Sequence, residues 1–316
     1  MKAAPILGAA AVLLIPVATR NPYVLHMLIM VLLWVVLGQS WNLLGGYTGQ
    51  VSFGHAAFFG IGAYTAGILI KGGAPPATAW AGLLLGGLTA TIAAAVIGWI
   101  CFRLRGPYFA LSVLALSEVL RLVAVNWKQL TNGAEGILLI PAFNTKAYYY
   151  YIVLGIAALN FVVIRFVMRS KLGYYFLAIR EDQDCAESLG IDTTKYKLFS
   201  LLISAFFTGA AGAFYLNYMG FIDPGIVFSI HDISVMMILV TMLGGVATYW
   251  GPAVGAVLYI LVSEIFRVWL KSGHLVFFGI LIIILIVFFP NGIVGTWNER
   301  AAKRSRRRAP ASPETA

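Results

Sequence analysis

Two pairs of opposite charges lie inside apolar stretches of this sequence. Glu118 precedes Arg121 by three residues, and Glu264 precedes Arg267 by the same spacing. Residues three apart share a face of a helix, so each pair can form an ion pair. A lone charge at mid-bilayer costs about 2.5–3.5 kcal/mol, so paired charges there indicate either a structural lock near a gate or a group that orients a zwitterionic substrate. The similar segments 117–121 and 263–267 are either an internal repeat or a chance likeness.

A second polar group lies in a glycine-rich stretch, at Gln50, Ser52 and His55 beside Phe53. On a continuous helix over 51–70, Ser52 and His55 share one face. Glycines nearby allow another helix to approach closely. The group predicts either a substrate pathway or plain helix packing, with His55 bonded to a neighbouring carbonyl.

The motifs of several enzyme classes are absent from the sequence. There is no GxxxxGK[ST] loop for phosphate, no HExxH and no GxSxG. Cys101 and Cys185 do not have metal-ligand spacing. We therefore expect neither an enzyme nor a metal site, and no cofactor bound by this chain. Transport or conduction is the default function, with energy from a partner or an ion gradient.

The composition determines which elements must position these residues. Of 316 residues, 60% are hydrophobic and 11% are charged, against about 25% charged in soluble domains. This excludes a soluble enzyme and predicts an all-α, polytopic membrane protein. Continuous apolar runs predict about ten transmembrane helices, at about 4–18, 23–44, 51–70, 77–101, 107–125, 148–168, 197–218, 232–248, 251–270 and 274–290. The first stretch could also be a signal peptide, but Arg20 makes a poor cleavage site.

The basic residues predict the orientation. With both termini inside, the inner joints and tails hold fifteen lysines and arginines and the outer joints hold five, as the positive-inside rule requires. The expected organisation is a transmembrane permease domain over 1–299, with a cytoplasmic loop at about 169–197, and a basic, disordered cytoplasmic tail over 300–316. Basic residues after a last span favour membrane lipid as the contact and argue against nucleic acid.

The cytoplasmic loop has the pattern of a short surface helix. Glu181, Asp182 and Asp184 would lie in its first turn, where the helix dipole favours anions. Ala186 and Leu189 are spaced to share a face, Gly190 is a C-terminal stop, and Asp192 or Thr193 can cap the next span. Such a helix is either a docking element for a partner or a solvated linker.

The loop resembles the coupling loop of branched-chain amino acid ABC transporter permeases. The likeness runs from Gly173 to Ile191, with Cys185 where alanine is usual. Four further strings occur in the family's order, and together they cover about residues 35–295: GQVSFGHAAFFGIGAY at Gly49–Tyr64, RGPYFA at Arg105–Ala110 with Glu118 and Arg121, Gly209–Ala213, and the glycines around Gly244–Gly255. The RGPYF string and the long inner loop are similar to the LivM type.

The resemblance implies a multi-subunit importer in the bacterial inner membrane. A second permease subunit, LivH-type or identical, would complete the pathway. Two cytosolic ATP-binding subunits would hold ATP and magnesium, and a periplasmic protein would deliver the substrate. It implies an ATPase interface formed by the coupling loop, at Arg180, Glu181, Asp182, Ala186, Leu189 and Gly190.

Three other functions are weighed. A urea or amide ABC permease would share much of this pattern. A secondary transporter or channel would use Glu118, Glu264 and Asp232 as proton or cation sites and would need no partner. A membrane-embedded enzyme would need clustered catalytic residues, and four scattered histidines do not form such a cluster.

Overall fold

The computed structural model describes residues 21–71, 78–140 and 145–270, together with residues 16, 143, 279 and 292–297. Within these residues, six helices are long and apolar enough to cross a membrane, and Gly251–Phe266 is a shorter apolar helix. The predicted polytopic helical fold is confirmed. The spans expected at 4–18 and 274–290, like the tail over 300–316, lie outside the described residues apart from residues 16 and 279. The count of ten and the orientation stay predictions.

The helices are named here in chain order. They are α1 (Pro22–Trp41), α2 (His55–Lys71), α3 (Thr78–Cys101), α4 (Pro107–Asn126), α5 (Lys128–Thr131), α6 (Lys146–Arg169), α7 (Lys171–Glu181), α8 (Gln183–Ser188), α9 (Thr193–Met219), α10 (Pro224–Val227), α11 (Met236–Gly244) and α12 (Gly251–Leu270). The π-helical segments Asn42–Tyr47 and Ile230–Val235 adjoin α1 and α11, and Gly133–Glu135 is a 3₁₀ turn. Two short strands complete the described part, β1 (Ile137–Leu138) and β2 (Phe221–Ile222).

Helix boundaries follow the local chemistry. The side chain of Asn21 caps α1 by accepting from the Tyr23 N–H at 3.0 Å. Asp192 caps α9 by accepting from the Lys195 N–H at 3.0 Å, which confirms one of the two expected caps. Gly190 adopts φ +82° just after α8, as a glycine stop requires.

The expected helix over 51–70 begins late, at His55, because residues 48–54 form an irregular segment. Gly49 has φ +73°, which interrupts a helix. The indole Nε1 of Trp41 donates to the Ser52 carbonyl at 2.9 Å, so this backbone is satisfied without helical bonds. The prediction that Ser52 and His55 share a helix face is wrong, because only His55 lies on α2.

Helices α2, α3 and α9 pack closely against one another and meet at three glycines. A Cβ on Gly62 would lie 2.0 Å from the Gly209 carbonyl oxygen, one on Gly86 would lie 2.8 Å from the Gly62 oxygen, and one on Gly209 would lie 2.5 Å from the Gly86 oxygen. No side chain fits at these points. The helices therefore approach backbone to backbone, which maximises van der Waals packing in a membrane.

The span expected over 232–248 ends at Gly244, because the chain turns at Gly245 with φ +131°. Polar side chains of α1 and its π segment satisfy this turn. Asn42 accepts from the Ala247 N–H at 2.8 Å and donates to the Thr248 carbonyl at 3.0 Å, while Gln39 donates to the Tyr249 carbonyl at 3.1 Å. The turn between α11 and α12 is thus held by α1.

On the side that the orientation predicts to be outer, β1 pairs with β2 in antiparallel register. Ile137 is opposite Ile222, and Leu138 is opposite Phe221. Lys71, at the end of α2, donates to the Gln129 carbonyl at 3.0 Å. The segment after α4 is thereby tied to the ends of α9 and α2.

Candidate permease core and inner loop

A buried polar network surrounds the first residue of α2. His55 is fully buried, and its Nε2 lies 2.8 Å from the Oγ of Ser204 on α9. Ser204 Oγ donates to the Ser40 carbonyl at 2.7 Å, so its only proton is committed and His55 Nε2 is the donor to it. Asn160 on α6 donates to Ser40 Oγ at 3.2 Å. The network links α1, α2, α6 and α9, which agrees with the helix-packing interpretation of His55.

The irregular segment before α2 contains the other members of the predicted pathway group. Ser52 is buried, and its Oγ accepts from the Gly54 N–H at 3.3 Å, so the hydroxyl serves the local turn. Gln50 and Phe53 are half-buried. Gln50 and Phe53 are therefore the two of these four residues that retain accessible surface, and a pathway role for the group stays a prediction.

Glu118 and Arg121 form the ion pair that their spacing indicates. Arg121 Nε lies 2.9 Å from both carboxylate oxygens of Glu118, and its terminal nitrogen lies 2.5 Å from one of them. The side chains are 39% and 30% exposed. Two charges inside a membrane-length helix thus remain accessible from the surface of this chain.

The second charged pair is seen only in part. Glu264 on α12 accepts a hydrogen bond from the Tyr23 hydroxyl of α1 at 2.5 Å. The side chain of Arg267 lies outside the described residues, so the predicted gate or ion pair between them stays a prediction. The contact with Tyr23 connects the second helical turn before the end of α12 to the start of α1.

The inner loop contains two helices where the pattern indicated one. α7 ends at Glu181, and Asp182 adopts an extended backbone and accepts from the Cys185 N–H at 2.9 Å as the cap of α8. The sequence predicted Glu181 in the first turn of the loop helix. In the structure Glu181 is instead the last residue of α7. Asp184 does lie in that first turn.

Ala186 and Leu189 do not share an exposed face, which corrects the expected docking face. Ala186 is 2% exposed, whereas Leu189 is 76% exposed. The short α8 ends at Ser188, so Leu189 follows the helix and points away from the protein. Of the two residues, only Leu189 offers apolar surface to a partner.

A polar network that the sequence did not indicate anchors α8 on α9. Gln183 donates to Glu187 at 2.9 Å and to Thr193 at 3.2 Å. Thr193 Oγ1 donates to the same Glu187 oxygen at 2.6 Å. Lys197 is 1% exposed, and its Nζ donates to Gln183 Oε1. A lysine counted as an ordinary inner-face charge is in fact a buried anchor.

The electrostatics of the loop favour ionised Glu187. Hydrogen bonds from Gln183, then from Thr193, lower the pKa of this carboxyl below its usual value of 4.5, and the charges of Arg105 and Lys197 act in the same direction. The carboxylate is therefore fully charged at neutral pH.

Arg180, expected at an ATPase interface, contacts Gly49 through its aliphatic stem and keeps 38% of its side chain exposed, so the interface role stays a prediction. A Cβ on Gly49 would lie 3.0 Å from Arg180 Cγ. The guanidinium lies 3.4 Å from the Glu181 carboxylate. α7 thus packs against the irregular segment that leads to His55. Through this segment the inner loop is connected to the buried network.

Together these features define a polytopic helical membrane protein with a structured inner loop and a polar core. A family model described as branched-chain amino acid transport system / permease component matches residues 23–288. The chain belongs to this family, and it is a multi-pass protein of the inner membrane.

The names of similar proteins agree with this family. The chain is 28% identical over 295 residues to the high-affinity branched-chain amino acid transport system permease protein LivM of Salmonella typhimurium, covering 84% of this chain and 68% of the relative. It is 27% identical to LivM of Escherichia coli over 83% of this chain and 68% of the relative. It is 25% identical to LivH of Salmonella typhimurium over 83% of this chain and 93% of the relative.

Proposed function

We propose that this chain is a permease subunit of an ATP-driven ABC importer that moves branched-chain or related small amino acids across the inner membrane. The observation that carries the proposal is the family match over residues 23–288, which includes the whole inner loop. In this assembly ATP and magnesium bind to two partner ATPases, and the chain itself holds no cofactor. A periplasmic binding protein delivers the solute.

The pathway partner is a second permease subunit of the LivH type or an identical chain. Both LivM and LivH relatives resemble this chain along most of its length. The accessible pair Glu118–Arg121 supports a partner or an aqueous space beside α4, because charges within a membrane rarely face lipid. Gln50, Ser52, Phe53 and His55 line or support the inner part of the pathway.

The ATPases dock on the inner loop. Leu189 supplies an exposed apolar contact on this loop. Buried apolar anchors with a polar rim are typical of specific interfaces. Ala186 and Gly190 shape the loop, while Arg180, Glu181 and Asp182 set the angle between α7 and α8.

Reconstitution of the purified complex in liposomes tests the proposal. We expect leucine, isoleucine or valine to enter the liposomes only when ATP and the binding protein are present. Vanadate, which inhibits ATP hydrolysis, should stop this uptake. Uptake by the chain alone, abolished by an uncoupler, would instead establish a secondary transporter with Glu118, Glu264 and Asp232 as ion sites. Uptake of urea but not of leucine would correct the substrate class.

Leu189→Arg tests the docking surface. We expect it to release the ATPases from the purified complex, because a charge would replace the apolar contact. Leu138→Arg is the matched control, since Leu138 is 79% exposed on the opposite side of the protein. Equal retention of ATPases by both variants would contradict the assignment of Leu189.

A further inference from the structure

The RGPYFA string begins in the turn between α3 and α4, and its arginine, Arg105, forms ion pairs with the inner loop. Arg105 donates from one terminal nitrogen to Asp184 Oδ1 at 2.6 Å and from the other to Glu187 Oε2 at 3.0 Å. A single guanidinium therefore joins two carboxylates on one face of α8. The planar fork of arginine suits such a two-point contact better than a lysine would.

Arg105 is fixed to the start of α4. The rings of Phe102 and Phe109 stack across the turn with centroids 4.8 Å apart and planes 10° apart, and both are buried. Gly106 has φ +57° and leads directly into Pro107, the first residue of α4. Because the stack closes the turn, Arg105 and the first turns of α4 form one body.

α4 is also the membrane-length helix with the least support from the rest of the chain. Only 22% of its most apolar stretch is buried, the lowest share among the six such helices in the described part, against 67% for α9. It is the helix that carries Glu118 and Arg121. α9 is thus enclosed by other helices of this chain, while few contacts within the chain hold α4 in place.

α8 lies between these two helices. Gln183 connects it to Lys197 of α9, and Asp184 and Glu187 connect it to Arg105 ahead of α4. A displacement of α8 relative to α9 would therefore pull on the start of α4 through charge-assisted hydrogen bonds.

We propose that Arg105 is the positioning residue through which movement of α8 moves α4 and the Glu118–Arg121 pair. The proposal rests on the proposed function, because an ATPase must displace α8. Arg105 touches no substrate; it acts by making α4 follow the inner loop.

The contact is separable from folding. Arg105 is 58% exposed and Asp184 is 79% exposed, and solvent-exposed ion pairs contribute little to stability. α8 also keeps its Gln183–Thr193–Lys197 anchor when Arg105 is changed. A variant at Arg105 should therefore fold and retain the ATPases while the connection to α4 is lost.

The first experiment compares Arg105→Gln with Arg103→Gln in the reconstituted complex, measuring ATP hydrolysis and solute uptake in the same liposomes. Arg103 is the matched control, because its guanidinium lies 4.7 Å from the centre of the Trp99 ring. We expect Arg105→Gln to lower solute moved per ATP by a few-fold, about the effect of an exposed ion pair, with hydrolysis retained, and Arg103→Gln to leave the ratio unchanged. An unchanged ratio in Arg105→Gln, or loss of its ATPases, would overturn the proposal.

The second experiment uses a cleavable cross-link. Arg105→Cys and Asp184→Cys are combined with Cys101→Ala and Cys185→Ala, and the two thiols are joined by a bifunctional thiol reagent that replaces the length of the arginine side chain and is released by a reductant. We expect the cross-linked complex to move more solute per ATP than the same complex after reduction, because the link replaces the lost contact between α8 and the start of α4. Equal ratios in the two states, or uptake blocked by the cross-link and restored by reductant, would overturn the proposal. ATP-independent uptake by the unmodified complex would instead refute the proposed function, so the two failures are distinct.

Discussion

His55 Nε2 donates a hydrogen bond to Ser204 Oγ at 2.8 Å, and the Ser204 hydroxyl donates in turn to the Ser40 carbonyl on a third helix. This relay places the first residue of α2 against the middle of α9. It gives His55 Nε2 and the Ser204 hydroxyl hydrogen-bond partners inside the protein, as polar groups within a membrane protein require.

Ser204→Ala should destabilise the protein by about 1 kcal/mol, because it removes a hydrogen bond between helices inside the membrane. Ser200→Ala is the matched control. Ser200 is equally buried on α9, but its hydroxyl donates to the Lys197 carbonyl of the same helix at 2.8 Å. Unfolding of both variants in detergent measures the difference, and equal losses would show that the interhelical bonds of Ser204 contribute nothing.

Gly62→Ala should be severely destabilising. Its methyl group would lie 2.0 Å from the Gly209 carbonyl oxygen, and overpacking of a tight contact costs about 1–3 kcal/mol or more. Gly155→Ala on α6 is the control, since no atom lies within 4 Å of its added Cβ, and it should gain up to about 1 kcal/mol from helix propensity. Thermal unfolding of the two variants should therefore shift in opposite directions; a shared direction would contradict the packing.

The Glu118–Arg121 pair should show strong coupling. Glu118→Gln leaves the arginine charge unpaired inside the membrane, and we expect a loss of about 1–3 kcal/mol, reduced from the fully buried case because the pair is partly exposed. The double variant Glu118→Gln with Arg121→Gln should lose less than Glu118→Gln alone. Unfolding free energies of the unchanged protein, of Glu118→Gln, of Arg121→Gln and of the double variant form the cycle, and additive losses would mean that the two charges do not interact.

The inner loop should loosen in acid. The pKa of Glu187 is lowered in the folded protein, so its carboxylate stabilises the docked α8 above the usual value of 4.5, and this contribution is lost as pH falls through the lower folded pKa. Labelling of a thiol placed at the buried position 186, in the variant Ala186→Cys with Cys185→Ala, reports the docking, because Ala186 is 2% exposed and Cys101 is buried. We expect a constant labelling rate, once corrected for thiol ionisation, from pH 8 to about pH 5, and a rise below it.

Glu187→Gln separates this effect from general acid unfolding. Made in the same cysteine background, the variant should label faster than that background at neutral pH and should lack the rise that Glu187 causes. A rise of the same size at the same pH in both proteins would assign the effect to another group.

Hydropathy was sufficient to predict the bounds of the long helices. An apolar run of membrane length, ended by proline or charge, sets the limits of α1, α3, α4 and α6. Hydropathy failed at residues 48–54, where Val51 and Phe53 continue the apolar pattern while Gly49 breaks the backbone. Local spacing correctly paired Glu118 with Arg121, which lie three residues apart.

Contacts between residues far apart in the chain could not be predicted from the sequence. Lys197 meets Gln183, fourteen residues away, and Arg105 meets Asp184 across 79 positions. Neither spacing follows from a helical period, since each depends on where the tertiary packing places α8. The same packing buries Ala186, which its spacing from Leu189 had placed on an exposed helix face.

The short length of α2 has a consequence for the chain before it. Its 17 residues extend about 25 Å at 1.5 Å per residue, less than the hydrocarbon thickness of about 30 Å. A helix of this length cannot cross the hydrocarbon layer alone. Non-helical backbone that completes the crossing has to find its hydrogen-bond partners inside the protein, as the Ser52 carbonyl does with the Trp41 indole.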